Sequence, residues 1–399
     1  MLLLAVICIL SISVVAYHYA VYPLLLYIAI RIKRLLYGKT TDVQVPYLPE
    51  VTFLVAAYNE EDFIEEKIKN TLSLHYPKEL IHYIFITDGS TDRTNELIRL
   101  YPQITLLYEP QRAGKTAAIN RAMSYVQTPF VVLSDANTIL NSDAAILLMS
   151  HFRYPDTGAV AGEKKVISTT GGAESQGEGM YWKYESLLKK WDAELYSVMG
   201  AAGELIAVRT SVYDPLPTDT ILDDFMLSFN MNMKGYRVLY EPAAYAQETA
   251  SASLPEEYKR KVRIAAGGYQ SMSRLLPLLN PFKYPKITWQ YVSHRVLRWT
   301  LAPLGLLLAI ISNMLFLIIA SPESSFYQVL LITGILQLCF YTAALMGYLL
   351  AIRETKVKYL YIPFYFVFMN FAVFAGSFKF FRKKQSAAWE RSKRSVAVS

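Results

Sequence analysis

"IHYIFITDGSTDRTNELI", residues 81–98, decides the fold class. Ile81 to Asp88 is an apolar run rich in β-branched and aromatic residues, as a buried strand requires, and Gly89-Ser90 breaks it with turn residues. The residues from Thr91 onward take up helical spacing, with Ser90 and Thr91 placed to cap that helix. Working outward, the same unit recurs. "VTFLVAAY" (51–58) precedes an amphipathic stretch from Glu60 to Leu74, "ITLLYE" (104–109) precedes "AGKTAAINRAM" (113–123), and "FVVLSDAN" (130–137) closes the series. Strands alternating with helices give right-handed crossovers and a mostly parallel central sheet, an α/β fold. Such sheets bind ligands beyond the carboxyl ends of their strands. Standing there are Asn59-Glu60, Asp88-Gly89-Ser90 and Asp135-Ala136-Asn137.

The flanks are of another kind. The 399-residue chain is 53% hydrophobic and only 18% charged, with its apolar residues concentrated at the two ends. Residues 1–30 carry no Lys, Arg, Asp or Glu. That exceeds both the roughly 20 residues of a membrane span and the roughly 7–15 of a signal-peptide core. Arg31, Lys33, Arg34 and Lys39 follow directly, which makes the segment a retained anchor with the following domain on the cytoplasmic side. Three further apolar stretches run from Trp299 to Ala320, Phe326 to Ile352 and Tyr359 to Phe381. The expected organisation is therefore an anchor over 1–30, an α/β domain over 49–270, interfacial helices over 271–298, membrane segments over 299–381 and a basic tail over 382–399. One anchor plus three spans puts the tail, "FRKKQSAAWERSKR" (381–394), on the far side, against the positive-inside rule. Tyr359 to Phe381, basic on both flanks, is the segment expected to lie in the interface or to re-enter. The net charge of +7 sits beside the membrane segments, so it points to lipid headgroups and not to nucleic acid. Cys8 and Cys339 both fall in apolar segments, which excludes a disulfide framework.

Gly114-Lys115-Thr116 imitates a phosphate-binding loop. The GxxxxGK[ST] pattern needs a glycine five positions earlier, and Glu109 stands there; before Gly38-Lys39-Thr40 stands Lys33. Both segments fail. Taken singly, the polar clusters are also open to plain readings: Asp88-Gly89-Ser90 as a helix-capping turn, Asp223-Asp224 as first-turn acids complementing a helix dipole. "TTGGAESQGEG" (169–179) reads as a mobile loop before a helix that begins "MYWKYE".

In combination the clusters say more. The order and spacing of "AAYNEE", "TDGSTD", "AGKTAAIN", "SDAN", "YWKYE", "GAAGELIAVR", "LDDF" and "YKRKVRIAAGGYQ", across about residues 51–270, resemble the family 2 glycosyltransferases of GT-A fold. The flanking segments resemble the membrane-integrated makers of β-linked polysaccharides within that family. The resemblance implies that Ala57, Tyr58, Glu60 and Asp88 hold the base and ribose of a nucleotide sugar, with Lys115, Asp135 and Arg263 also on the donor. It implies that Asp135 and Asn137 carry a divalent cation, Mg2+ or Mn2+. Asn137 stands where the family has a second acid, and its carbonyl oxygen remains a hard ligand. Asp224 matches the catalytic base. Asp223, where glutamate is usual, falls on the acceptor side with Trp182, Glu185 and Arg260. Asn120 is expected to brace its helix against the Asp135 strand end.

One element departs from the family. "RKVRI" (260–264) keeps Arg263 of the family's Gln-x-x-Arg-Trp but has Arg260 for the glutamine and Ile264 for the acceptor-stacking tryptophan. The activity implied is inverting transfer of N-acetylglucosamine or glucose from a UDP-sugar to a glycan acceptor. That reaction belongs to polysaccharide synthesis at a bacterial cell membrane, with membrane lipids and other export subunits as partners. Transfer of one sugar to a lipid, such as a polyprenyl phosphate or glycolipid, stands beside it, as does a non-catalytic sugar-nucleotide-binding protein.

Overall fold

The computed structural model describes residues 1–38, 46–167, 173–249, 251, 253–353, 355 and 357–383, with side chains omitted over 173–181. In chain order, α1 (Leu2–Ala16) and α2 (Tyr22–Tyr37) form one rod through a π-helical turn at Tyr17–Val21. The α/β domain then runs β1 (Val51–Ala57), α3 (Ile64–Leu72), β2 (Ile81–Asp88), α4 (Thr94–Arg99), β3 (Ile104–Glu109), α5 (Lys115–Met123) and β4 (Phe130–Asp135). It continues with β5 (Ile139–Leu140), α6 (Ala144–Ser150), β6 (Thr157–Ile167), α7 (Ala173–Leu195), β7 (Leu205–Arg209), α8 (Asp223–Met233), β8 (Arg237–Thr249) and α9 (Leu254–Arg274). After it come α10 (Pro285–Tyr291), α11 (Leu297–Trp299), α12 (Leu301–Ile319), α13 (Tyr327–Ile352) and α14 (Lys358–Phe381).

The eight strands form one sheet in the order β3-β2-β1-β4-β7-β6-β8-β5. The first four strands pair in parallel, as the repeated strand–helix units predict. Beyond β4 the sheet is mixed: β7 enters antiparallel between β4 and β6, while β6 and β8 are parallel. All seven residues of β1 are buried, because helices cover both faces of the sheet. One apolar layer holds α5 and α8, the other α3 and α6. The register pairs Ala57 with Thr87, Ala56 with Asp135 and Asp88 with Glu109, which brings the ends of β1, β2 and β4 to one level.

Two local expectations are corrected. The helix predicted to begin near Met180 starts at Ala173, since Ala, Glu and Gln between the glycines favour helix; residues 169–172 of the expected loop lie outside the described residues. The turn after β2 is closed by Asp92, whose Oδ1 accepts from Thr94 N at 3.0 Å and Thr94 Oγ1 at 2.6 Å. Ser90 and Thr91 instead tie to Asn59 of the neighbouring turn: Asn59 N donates to Ser90 Oγ at 3.1 Å, and Thr91 N to Asn59 Oδ1 at 2.8 Å.

Among the described residues, four helical rods are long and apolar enough to cross a membrane: Leu2–Tyr37, α12, α13 and α14. At 1.5 Å per residue the first is about 54 Å long against a hydrocarbon layer of about 30 Å, so only part of it crosses. α1 pairs with α12, with Cys8 Sγ 3.6 Å from the Ala309 carbonyl and Gly305 set close against the Ser11 carbonyl. α2 docks on α7: Tyr22 Oη donates to Asp192 Oδ1 at 2.5 Å, and Arg34 forks onto Glu194 at 2.5 and 2.7 Å. Lys33 donates to the carbonyls of Glu194 and Leu195, the end of α7. The segment 271–298, expected to be interfacial, packs into the domain: Ile287 and Tyr291 join the core, and Gln290 and His294 bond the buried Asp192. Of the basic tail, residues 384–399 lie outside the described residues.

Candidate active site

The β2 turn builds the first wall. Asp88 Oδ2 accepts from the backbone N–H groups of Ala113 (2.9 Å) and Gly114 (2.6 Å), and so sets the loop that starts α5. Gly114 meets this geometry at φ +96°, a conformation side-chain-bearing residues avoid. Asp88 Oδ1 is buried and makes no hydrogen bond. Gly89 (φ +71°) brings the turn against Arg112, whose guanidinium lies 3.9 Å from the Tyr58 ring centroid. Arg112 was not legible as a site residue, because "QRAGK" reads as ordinary loop. Glu60 is buried beside this turn, its backbone N donating to Thr94 Oγ1 at 2.9 Å, and Ala57 ends β1 just before it.

The second wall is ionic. Lys115 Nζ lies 2.6 Å from Asp135 Oδ1 and 3.6 Å from Asp223 Oδ2. Burial opposes the charge of Lys115, but the carboxylates of Asp135 and Asp223, with Asp224 beyond, outweigh it and hold the ammonium above the usual lysine range. Asp223 was expected on the acceptor side. It faces Lys115 instead, because it opens α8 and successive helical residues point about 100° apart. Below Asp135, buried Lys67 donates to Ser134 Oγ at 2.7 Å and to the Thr138 carbonyl at 2.9 Å, pinning both sides of the Asp135-Ala136-Asn137 turn. Desolvation lowers its pKa to about 7, with Asp135 opposing. In sequence Lys67 reads as a surface residue of an amphipathic helix. Asn120 does not reach the β4 end: it accepts from Tyr213 Oη and Leu216 N and donates to the Leu216 carbonyl, holding the 213–216 loop over α5.

Asp224 sits between two cavities. A small one is bounded by Leu54, Lys115, Asp135 and Asp223, and a larger one, about 190 Å³, by Trp182, Glu204, Arg260 and Ile264; Asp224 borders both. Phe225 N donates to Asp224 Oδ1 at 2.8 Å, and Gly203 leaves room for Oδ2, since a Cβ there would lie 3.2 Å away. Burial, then the charge of Asp223, pushes the Asp224 pKa up to about 7 against the pull of Lys115.

The larger cavity is rich in cations. Trp182 has Lys164, Lys189 and Lys261 within 5.3, 5.5 and 5.7 Å of its ring centroid. Lys164 is ion-paired with Glu204 and Glu248. Glu204, missed in the sequence, is lowered to about 2: burial opposes ionisation, and Lys164 more than offsets it. Glu185 is held by Arg298 and, at 3.3 Å, by Arg295, whose charges outweigh burial and keep its carboxyl well below the usual range. Arg260 binds Glu257 at 2.9 Å. Arg263 borders neither cavity. It shares the α9 face of Gly267 and Gln270, which contact Ile221 and Leu222 ahead of Asp223, and its Nε is buried without a hydrogen bond. Met369, Asn370 and Val373 of α14 close the cavity on the membrane side.

For a divalent cation the chain offers the Asp135 carboxylate and, two residues on, the Asn137 side-chain carbonyl. No group of three His, Cys, Asp or Glu suited to a metal occurs among the described residues. Two hard oxygen donors beside an anion-binding lysine suit an ion that completes its shell with substrate phosphates and water.

Residues 52–216, from β1 to the loop held by Asn120, match the family model described as Glycosyl transferase family 2. This is a family 2 glycosyl transferase domain. The chain is 30% identical over 247 residues to the poly-beta-1,6-N-acetyl-D-glucosamine synthase of Staphylococcus aureus, covering 59% of each. The Staphylococcus epidermidis synthase of the same name is 26% identical over 280 residues, 65% of this chain and 66% of that one. The matches therefore span less than two thirds of those relatives. A mannosyltransferase from Pyrobaculum calidifontis, solved in complex with GDP-Man and Mn2+, superposes with a TM-score of 0.72 at 23% identity, over 96% of this chain and 100% of that one. At that identity the likeness concerns the fold, GT-A with its helical flanks. The matched residues thus include the parallel half of the sheet, most of the small cavity and the Lys164–Glu204 side of the large one, while Asp223, Asp224 and the α9 and α14 walls lie beyond them.

Proposed function

We propose that this membrane protein is an inverting glycosyltransferase that moves a sugar, N-acetylglucosamine or glucose, from a UDP-sugar to a glycan acceptor on the cytoplasmic face of a bacterial cell membrane. The observation that carries the reading is Asp224, which borders a small cavity beside Lys115 and Asp135 and a large cavity beside Trp182. The donor's diphosphate lies at the first, where Lys115 attracts it as a point charge, and its base lies beyond that cavity at the β2 turn, where Asp88 Oδ1, without a hydrogen bond and 3.9 Å from Arg121 Nη1, accepts from it. An acceptor hydroxyl enters from the second and gives its proton to Asp224 as its oxygen attacks the anomeric carbon. A base poised near pH 7 is well matched to that step. Asp135 and Asn137 hold the divalent cation, which when bound supplies positive charge to the leaving diphosphate. The staphylococcal relatives favour N-acetylglucosamine and polymer synthesis.

Single-sugar transfer to a lipid acceptor is the second reading. It is favoured by Ile264 in the large cavity, where the family's aromatic platform is absent, and by Met369 and Val373, which give that cavity an apolar wall on the membrane side.

The test is UDP release by purified protein over a panel of sugar nucleotides with Mg2+ or Mn2+, with Asp224→Asn alongside. Release from one donor, lost in the variant, is expected. Undiminished turnover in the variant removes the base assignment, and no release from any donor makes the chain a binding protein. Product length separates the two acceptors: a ladder indicates a glycan, a single addition to extracted lipid the alternative.

A further inference from the structure

α14 is the least apolar of the four long helices; it folds back on α13, with Gly347 against Leu360 and Phe340 against Phe366, but its other long neighbour, α9, is not a span. It lies along α9 in matching order. Tyr365 Oη donates to Glu257 Oε1 at 3.2 Å, Tyr258 packs on Phe368 and Phe371, and Tyr269 packs on Phe380 and Phe381. Between these contacts Gly376 lets the backbones close, since a Cβ there would lie 2.5 Å from the Ala265 Cβ.

The direction of α9 follows from its ends. Leu254, at its start, shares a cluster with Ala351 at the end of α13. Gly268 lies on the Trp299 ring, and Tyr269 Oη donates to the Trp299 carbonyl, at the start of α12. α12 and α13 are antiparallel, crossing where Asn313 meets Gln337 and Leu317 meets Gly334. Their domain-side ends are therefore Leu301 and Ile352, and α9 runs from one to the other, along the membrane surface.

We propose that α14 lies in the headgroup boundary of the bilayer beside α9, that the chain crosses three times, and that the basic tail returns to the side of the catalytic domain. Were α14 to cross, α9 would be drawn through hydrocarbon with Glu256, Lys259 and Arg274, charges that are costly to bury in lipid. α14 also carries exposed Tyr359, Phe374 and Phe378, and Phe371 and Phe381 stay exposed beside their α9 partners, an aromatic surface fitted to an interface. The charges agree. With three crossings Arg353, Lys358, Arg382 and Lys383 join Arg31, Arg34 and the domain on one side, and the 320–326 turn opposite contains no Lys or Arg.

The test uses the full chain in membranes, in a Cys339→Ser background because Cys8 is buried. Ser124→Cys in the domain, Ser325→Cys in the far turn and Ser395→Cys in the tail are each exposed to a membrane-impermeant maleimide before and after the membrane is opened. Ser395→Cys is expected to label with Ser124→Cys and opposite to Ser325→Cys; labelling with Ser325→Cys overturns the proposal. Nitroxide labels on Tyr359→Cys, Phe371→Cys and Phe378→Cys then report depth. The helix is about 28 Å long between the outer two. Equal depths within about a helical turn of about 5 Å support the interfacial position. A steady gradient approaching the full length, centred in the bilayer, overturns it. Neither readout depends on enzymatic activity.

Discussion

At the scale of single residues, Asp224 is where environment and chemistry meet. Its pKa of about 7 lies above the unfolded value of about 3.9, so the folded chain holds that proton more tightly. The stability associated with the protonated form is complete below about pH 4 and is lost as pH rises through 7. Asp224→Asn should therefore raise the thermal midpoint by a few degrees at pH 8 and leave it unchanged at pH 4, read by unfolding in detergent across pH. The same variant should lose about 10²- to 10⁴-fold in kcat, the span of a general base. Activity of the wild type should climb with pH through an acid limb near 7, because only the ionised carboxylate accepts the proton. Lys115 opposes the rise of the Asp224 pKa, so Lys115→Met should move that limb to higher pH and raise the donor KM. A limb that stays in place in the variant would disconnect Lys115 from the base.

At the scale of elements, α9 binds the soluble and membrane parts into one wall. Gly267 meets Ile221 and Leu222 just before Asp223, Gly268 meets Trp299, and α14 lies on the remaining face. Three of the cavity's boundaries therefore depend on small residues along a single helix. Gly376→Leu should push α14 off Ala265 and the Val262 carbonyl, costing about 1–3 kcal/mol of stability by overpacking. Because Met369 and Val373 border the large cavity, the acceptor KM should rise while the donor KM holds, measured with each substrate in turn. A parallel loss in both would mean general unfolding instead. α3 acts similarly beneath the donor side, through one lysine buried under the β4 turn.

At the scale of the whole molecule, the long amino-terminal rod does two tasks. Its first half pairs with α12, and its second half grips α7 through Tyr22, Lys33 and Arg34. The domain is thus clamped to the membrane by α2 and by the α10–α11 segment that leads into α12. Alkaline carbonate washing of membranes should leave the chain in the pellet, as expected for spanning helices; release into the supernatant would deny that any of them crosses. The shared TM-score with the mannosyltransferase extends over helices and domain together, so the clamp belongs to the fold and not to the α/β domain alone.

Sequence alone determined the parallel β1–β4 core, the apolar flanks, and the placing of Asp88 and Asp135 near one edge. Those features follow from local rules: periodicity, turn chemistry and strand-end position act within a few residues, whereas Lys115 and Asp224 were legible only through the family resemblance. Tertiary structure alone decided the rest. Asp223 and Asp224 are adjacent in the chain and both border the small cavity, but only Asp224 also reaches the large one, since a helix begins at the first of them. Lys67, Arg112 and Glu204 became site residues only when distant strands and turns closed around them, because nothing in the sequence nearby marks a lysine as buried or an arginine as stacked. The basic flanks of Tyr359 to Phe381 set that stretch apart in the sequence. What tertiary structure adds is the helix α14 lies against, and that depends on contacts more than 100 residues apart in the chain.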